Sequence, residues 1–256
     1  MDTSLQMIGK RKIPYDLDDP RTTQLHRDII LNTPFLKKMY LYWYKEFEKV
    51  IQKNPQGHYL KLGPGGGFLK DLIPNLITSD ILPLPYVDEQ INAEPLLFEN
   101  ESLNGIFSLD VFHHIPRPYL FLKEAERCLK PNGKIVIIDP ANTSFSRCIY
   151  KKLHHEPLDE KSGLTIEEGR PLSNSNQDLS YIYFIRGKNK FQKNFPHLKD
   201  TEYKLSYNTF VFIEWRSVLY PFVPSFTFSI FNFAEKILKS IQKHTTLFQT
   251  IIIQKQ

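Results

Sequence analysis

Two pairs of histidines are the groups best suited to chemistry at neutral pH: His113-His114 and His154-His155. An imidazole titrates near pH 6.5, so a positioned histidine can take a proton from a substrate or orient the group that reacts. The first pair follows the apolar run Gly105-Ile106-Phe107-Ser108-Leu109-Asp110, and the second is followed by Glu156. All four histidines are candidate catalytic groups. His154, His155, Glu156 and Asp159 do not reproduce a metal-ligand spacing. The two cysteines, Cys128 and Cys148, make no CxxC pair, so no metal is expected and no disulfide framework either.

A second candidate site is the run Leu60-Lys61-Leu62-Gly63-Pro64-Gly65-Gly66-Gly67-Phe68. Glycines lack a Cβ, so their backbone can approach a ligand closely, and a turn that opens a helix offers free N–H groups. The spacing excludes two familiar nucleotide loops. There is no GxxxxGK[ST], and a GxGxxG would need glycine where Phe68 stands. The pattern is GxGxG, at Gly63, Gly65 and Gly67. Asp80 closes the next apolar run, and a carboxylate there can accept both hydroxyls of a ribose.

These residues need a scaffold, and the pattern supplies one. Runs at 58–62, 76–80, 89–93, 105–110 and 134–139 read as strands. Between the last two, Leu122, Ala125, Cys128 and Leu129 share a helical face, closed by the turn Lys130-Pro131-Asn132-Gly133. Strands alternating with helices imply an α/β domain with a mostly parallel sheet and helices on both faces. Upstream, Ile29, Ile30, Phe35, Leu36, Met39, Tyr40, Trp43, Phe47, Val50 and Ile51 recur at helical spacing. Pro34 should split them into two helices, the first capped by Thr22 or Thr23. Phe248 to Ile253 reads as a last strand returning to the sheet.

The ordered motifs resemble the class I S-adenosylmethionine-dependent methyltransferases of the methyltransferase type 11 group. Besides the glycine loop, Asn92-Ala93-Glu94 followed by Leu97 to Asn104 is similar to that family's "DAxxLPFxDxSFD" stretch. Val111 to Ile115 is similar to its "VLHH", and Glu124 to Lys134 to its "EAxRvLKPGG". The resemblance implies a Rossmann-like class I methyltransferase fold, with an N-terminal helical leader and a C-terminal cap insertion, and S-adenosylmethionine as cofactor. It places Gly63, Gly65 and Gly67 against the methionine and ribose parts, Asp80 on the ribose hydroxyls, Ala93 and Glu94 beside the adenine, and Leu109 and Asp110 near the methyl-bearing sulfur. Lys61 departs from the pattern, because the family usually has an acid there. A cation beside a cationic cofactor weakens binding, so a degenerate, non-catalytic or weakly binding member of the fold is the alternative reading.

The implied organisation is 1–56 leader, 57–150 cofactor core, 151–245 substrate cap and 246–256 final strand. Residues 1–56 carry 10 basic and 7 acidic groups, 57–150 carry 8 and 11, and 151–256 carry 15 and 10. The acidic core suits a sulfonium, and the basic flanks point to an anionic acceptor or surface. The acceptor is expected to be a small molecule, a saccharide or a lipid-linked intermediate. The uncharged aromatic stretch Val218 to Ala234 beside a lysine-rich run suits a membrane-peripheral surface, whereas no motif favours nucleic acid. The polar start, Met1 to Lys12, reads as no secretory signal, so a cytoplasmic protein, peripheral to the membrane in the interfacial reading, is expected.

Overall fold

The computed structural model describes residues 7–8, 11–12, 14–153, 156–206 and 224–256. A two-residue ladder, β1 (Met7–Ile8) with β2 (Arg11–Lys12), precedes the leader helices. Helix α1 (Pro20–Asn32) begins at Asp19, whose side chain accepts the Arg21 N–H at 2.9 Å, with Pro20 fitting the first turn because it has no N–H to satisfy. The cap is therefore Asp19, not Thr22 or Thr23; the Thr22 hydroxyl instead donates to the Asp16 carbonyl at 2.7 Å. Pro34 ends α1 and opens α2 (Pro34–Ile51), as its ring and missing N–H require. Helix α2 buries Phe35, Leu36, Met39, Trp43, Tyr44, Phe47 and Val50 along one face. Phe47 stacks on Phe107 of the sheet at 4.8 Å.

The sheet has seven strands: β3 (Tyr59–Leu62), β4 (Ile77–Asp80), β5 (Glu89–Gln90), β6 (Leu103–Leu109), β7 (Leu129–Pro140), β8 (Leu198–Ser206) and β9 (Phe248–Lys255). Their order is β5-β4-β3-β6-β7-β9-β8. The first five are parallel, β9 runs antiparallel to β7, and β8 antiparallel to β9. Strands β6 and β7 carry continuous apolar runs because both faces of a parallel sheet are covered. One face packs on α1 and α2; the other packs on α4 (Pro118–Cys128) and the turns over Leu179–Arg186, with α3 (Leu69–Leu72) after the glycine loop.

Two expectations change. The Lys130–Gly133 turn belongs to the irregular start of β7, with Asn132 in the left-handed region at φ 65°. The 151–245 stretch is not wholly a cap, since β8 is an edge strand of the core sheet. Its apolar sequence around Leu198 is short and charge-interrupted because only one side of an edge strand is paired. The final strand returns to the sheet as β9. No described helix is long and apolar enough to cross a membrane.

Candidate active site

The switch in strand order between β3 and β6 puts the carboxyl ends of β3, β4 and β6 around one cavity of about 920 Å³. Such a crevice is where open α/β sheets bind ligands. The glycine loop forms its floor. Gly63 lies at φ 52°, and a Cβ there would come within 2.6 Å of Val111 Cγ2, so this glycine serves the close packing of two loops. Gly65, at φ 50°, would point a Cβ into open space, and it lines the cavity. Gly67 does not. A Cβ there would meet the Tyr44 hydroxyl at 2.6 Å, and its carbonyl accepts from Arg27. Gly67 thus packs against the leader helices, and the Tyr44 hydroxyl fixes the turn by accepting the Phe68 N–H at 2.9 Å.

Asp80, at the end of β4, takes the Leu82 N–H at 3.0 Å on one oxygen and the Gly65 N–H at 3.4 Å on the other. It lines the cavity; burial raises its carboxyl above the usual range, opposed by these two N–H groups and by Lys61. Lys61 is buried on β3 and also reaches the cavity wall. Its ammonium donates to the Leu62 carbonyl at 2.7 Å and the Gly63 carbonyl at 3.0 Å. Burial lowers it to about 7, against the pull of Asp80 and Asp110. A lysine so placed is part neutral at physiological pH, which removes much of the objection to a cationic ligand.

Leu109 and Asp110 also line the cavity. Asp110 holds a left-handed backbone, φ 58°, which strains a non-glycine residue and is found most often at functional sites. By solvent accessibility the residue is exposed, and it lines the cavity. Desolvation of its carboxyl pushes it up to about 7, helped by Glu156 and Asp139 and opposed chiefly by His113. His113 is buried, with Nδ1 on Asp139 Oδ1 at 2.9 Å and Nε2 facing Glu156 Oε2 at 3.4 Å. Burial disfavours charge on this ring, but Asp139, Glu156 and Asp110 outweigh it and hold the imidazole well above its ordinary range. The His114 ring lies beside it, tilted by 42° with centroids 4.2 Å apart, and is the one of the two that lines the cavity.

The remaining walls come from the flanks. Ala93 and Glu94 also line the cavity, and both Glu94 oxygens are taken by Arg117, through its N–H at 2.6 Å and its Nε at 2.8 Å. Thr23, His26 and Ile30 of α1 close one side, with Tyr40 and Tyr44 of α2. The segment 167–174 closes the top. It is pinned by Asp18, which accepts from the Leu172 N–H at 2.6 Å, the Ser173 hydroxyl at 2.5 Å and Arg170 Nε at 3.0 Å.

The structure therefore brings Lys61, Gly63, Gly65, Asp80, Ala93, Glu94, Leu109, Asp110 and His114 to one cavity. It places Gly67 and His113 behind the wall. His154 and His155 lie outside the described residues. Asp139, Arg117 and the 167–174 segment were not singled out from sequence. Asp139 had a signal, since it closes the strand next to β6. The others owe their place to tertiary packing. Arg127, in the "EAxRvLKPGG"-like run, ties the Leu96 and Phe98 carbonyls and serves the scaffold.

Fold and site together define a Rossmann-like domain with a cavity at the carboxyl ends of its parallel strands. Residues 60–137 match the family model described as a methyltransferase domain. No curated protein matches the sequence significantly. Among solved structures, phosphoethanolamine N-methyltransferase 2 of Haemonchus contortus superposes with a TM-score of 0.52 at 15% identity, over 93% of this chain and 57% of that one. An S-adenosylmethionine-dependent methyltransferase structure from Listeria monocytogenes gives 0.50 at 13% identity, over 83% and 97%. At these identities the likeness is one of fold. The residues present fit S-adenosylmethionine: the Gly65 backbone opens onto the cavity, Asp80 offers a carboxylate beside it, and the wall carries more acids than bases.

Proposed function

We propose that the chain methylates a small, hydroxyl-rich acceptor such as a saccharide or a lipid-linked saccharide. The carrying observation is that one cavity joins the glycine loop and Asp80 to a second, acidic end formed by Asp110, His114 and Glu156. When bound, S-adenosylmethionine supplies an electrophilic methyl on a sulfonium. Lys61, Gly65 and Asp80 would hold it at one end, and Ala93 and Glu94 would flank its base. Asp110 and His114 open onto the other end, and Asp110 would take the proton that the acceptor loses. His113 is unsuited to that task because both ring nitrogens already face carboxylates. It would instead orient its neighbours.

Among the lining residues outside the proposed cofactor contacts, the acids Glu156, Glu167 and Glu168 outnumber the arginines Arg117 and Arg170. That balance favours hydroxyl groups over the anionic acceptor suggested by the flank charges. The test is formation of S-adenosylhomocysteine from S-adenosylmethionine with panels of neutral saccharides, anionic metabolites and amines. Turnover with saccharides supports the reading, and turnover confined to anions would overturn it.

A separate observation favours contact with a membrane surface. Phe226, Ile230, Phe233, Ile237 and Ile241 are all exposed, at spacings of four, three, four and four, on and beside the helix Thr227–Ile237. Lys236, Lys239 and Lys243 are exposed alongside. An apolar stripe flanked by lysines suits an anionic bilayer. Co-sedimentation with phosphatidylserine vesicles, lost in Phe233→Glu, is the expected result; no sedimentation at low salt would remove this reading.

A further inference from the structure

The sequence gives no metal-ligand spacing around His154-His155-Glu156, yet the fold regroups Glu156 with the other histidine pair. We propose that His113, His114 and Glu156 form a binding site for one divalent transition-metal ion at the acceptor end of the cavity. The three side chains come from two distant segments, and each offers a ligand atom within 4.8 Å of the other two.

The directions of the groups carry the argument. His113 Nδ1 is engaged by Asp139 Oδ1 at 2.9 Å, and His114 Nδ1 by the Asn174 carbonyl at 3.3 Å. A carbonyl only accepts, so Nδ1 of His114 carries a proton, and Nε2, on the Glu156 side, is the ring atom that an ion would take in place of a proton. Both Nε2 atoms are aimed at one carboxylate, His113 at Oε2 over 3.4 Å and His114 at Oε1 over 3.8 Å. Metal bonds of about 2.1 Å at tetrahedral angles put donor atoms roughly 3.4 Å apart; the two nitrogen–carboxylate separations, 3.4 and 3.8 Å, stand close to that spacing.

Every ligand also has an outer partner that fixes it. Asp139 and the Asn174 carbonyl hold the two rings, and Gln177 Nε2 donates to Glu156 Oε2. Ligating imidazoles usually donate their other N–H to a carboxylate or carbonyl in this way. Asp139 Oδ2 is buried with no hydrogen-bond partner among the described residues, and Asp110 stands within the same cluster as His113 and Asp139. Buried Asp139, half-buried Glu156 and exposed Asp110 thus gather around His113, and a divalent ion offsets that charge.

Two imidazoles and a carboxylate suit zinc, cobalt, manganese or ferrous iron better than magnesium or calcium, which prefer all-oxygen sets. His114 and Glu156 line the cavity, so a remaining coordination position faces it. In the proposed methyl transfer, on which this role for the ion rests, that position would bind the acceptor oxygen and lower its pKa.

The experiment strips the full chain with a chelator and titrates it with cobalt(II), reading heat and the visible ligand-field bands. The expected result is one ion per chain, with affinity lowered at least 10-fold in His114→Ala and in the near-isosteric Glu156→Gln. Gly65→Trp should bind cobalt normally while losing S-adenosylmethionine. Absence of binding by the native chain, or equal binding by the native chain and both ligand variants, would overturn the proposal. Cofactor binding without cobalt binding removes the metal site and leaves the proposed function intact. Cobalt binding without cofactor binding upholds the site and removes that function.

Discussion

Replacing Lys61 with methionine removes a buried ammonium while keeping the side chain's length. In the unfolded chain a lysine holds its proton to about pH 10.4. In the folded chain burial lowers Lys61 to about 7. Between those values the unfolded state binds one more proton, so stability rises with pH. The burden is greatest below pH 7 and fades toward pH 10. One pH unit of such imbalance is worth about 1.4 kcal/mol. From pH 7.5 to 9.5 the native chain should therefore gain about 2.5 kcal/mol that Lys61→Met does not gain. The variant also leaves the Leu62 and Gly63 carbonyls without their donor, at a cost of about 1–3 kcal/mol that does not vary with pH. The slope, not the absolute stability, is thus the diagnostic. Urea unfolding of both proteins at pH 7.5, 8.5 and 9.5 measures it. Parallel stability curves would refute the claim that Lys61 is buried and near-neutral.

Further consequences follow from the same geometry. Asp80→Asn keeps the shape of the cavity and removes a charged acceptor, so S-adenosylmethionine affinity should fall roughly 10- to 150-fold by calorimetry, about 1.5–3 kcal/mol. Tyr44→Phe strips the buried Phe68 N–H of its acceptor and should lower the unfolding free energy by about 1–3 kcal/mol; an unchanged midpoint would show that the turn is held otherwise. Asp18→Ala releases the 167–174 segment, so the Leu172 and Ser173 amides should exchange with deuterium faster while those of β7 do not.

Much of this architecture was legible in the residues. Alternating strands and helices set the sheet, Pro34 set the break between α1 and α2, and Asp80 and Asp110 fell at strand ends where ligands bind. The glycine run was readable as a site but not residue by residue. Only coordinates separate Gly65, open to the cavity, from Gly67, which is pressed on Tyr44. Strand β8 was missed because an edge strand with one paired side lacks a strong apolar signal. The His113–Asp139 and His114–Glu156 pairings were hidden for another reason: they join residues 26 and 42 positions apart, a separation no local pattern records. Lys61 was legible as a departure, and its consequence was not, since its effect depends on how far burial and two carboxylates alter its charge.

The central claim is that the cavity at the carboxyl ends of β3, β4 and β6 is an S-adenosylmethionine site despite Lys61. Isothermal titration of the native chain with S-adenosylmethionine at pH 8 tests it most directly. The account predicts one molecule bound per chain, and loss of binding in Gly65→Trp, whose indole would project into the cavity. A native chain that gives no binding heat and no thermal stabilisation with millimolar S-adenosylmethionine would contradict it.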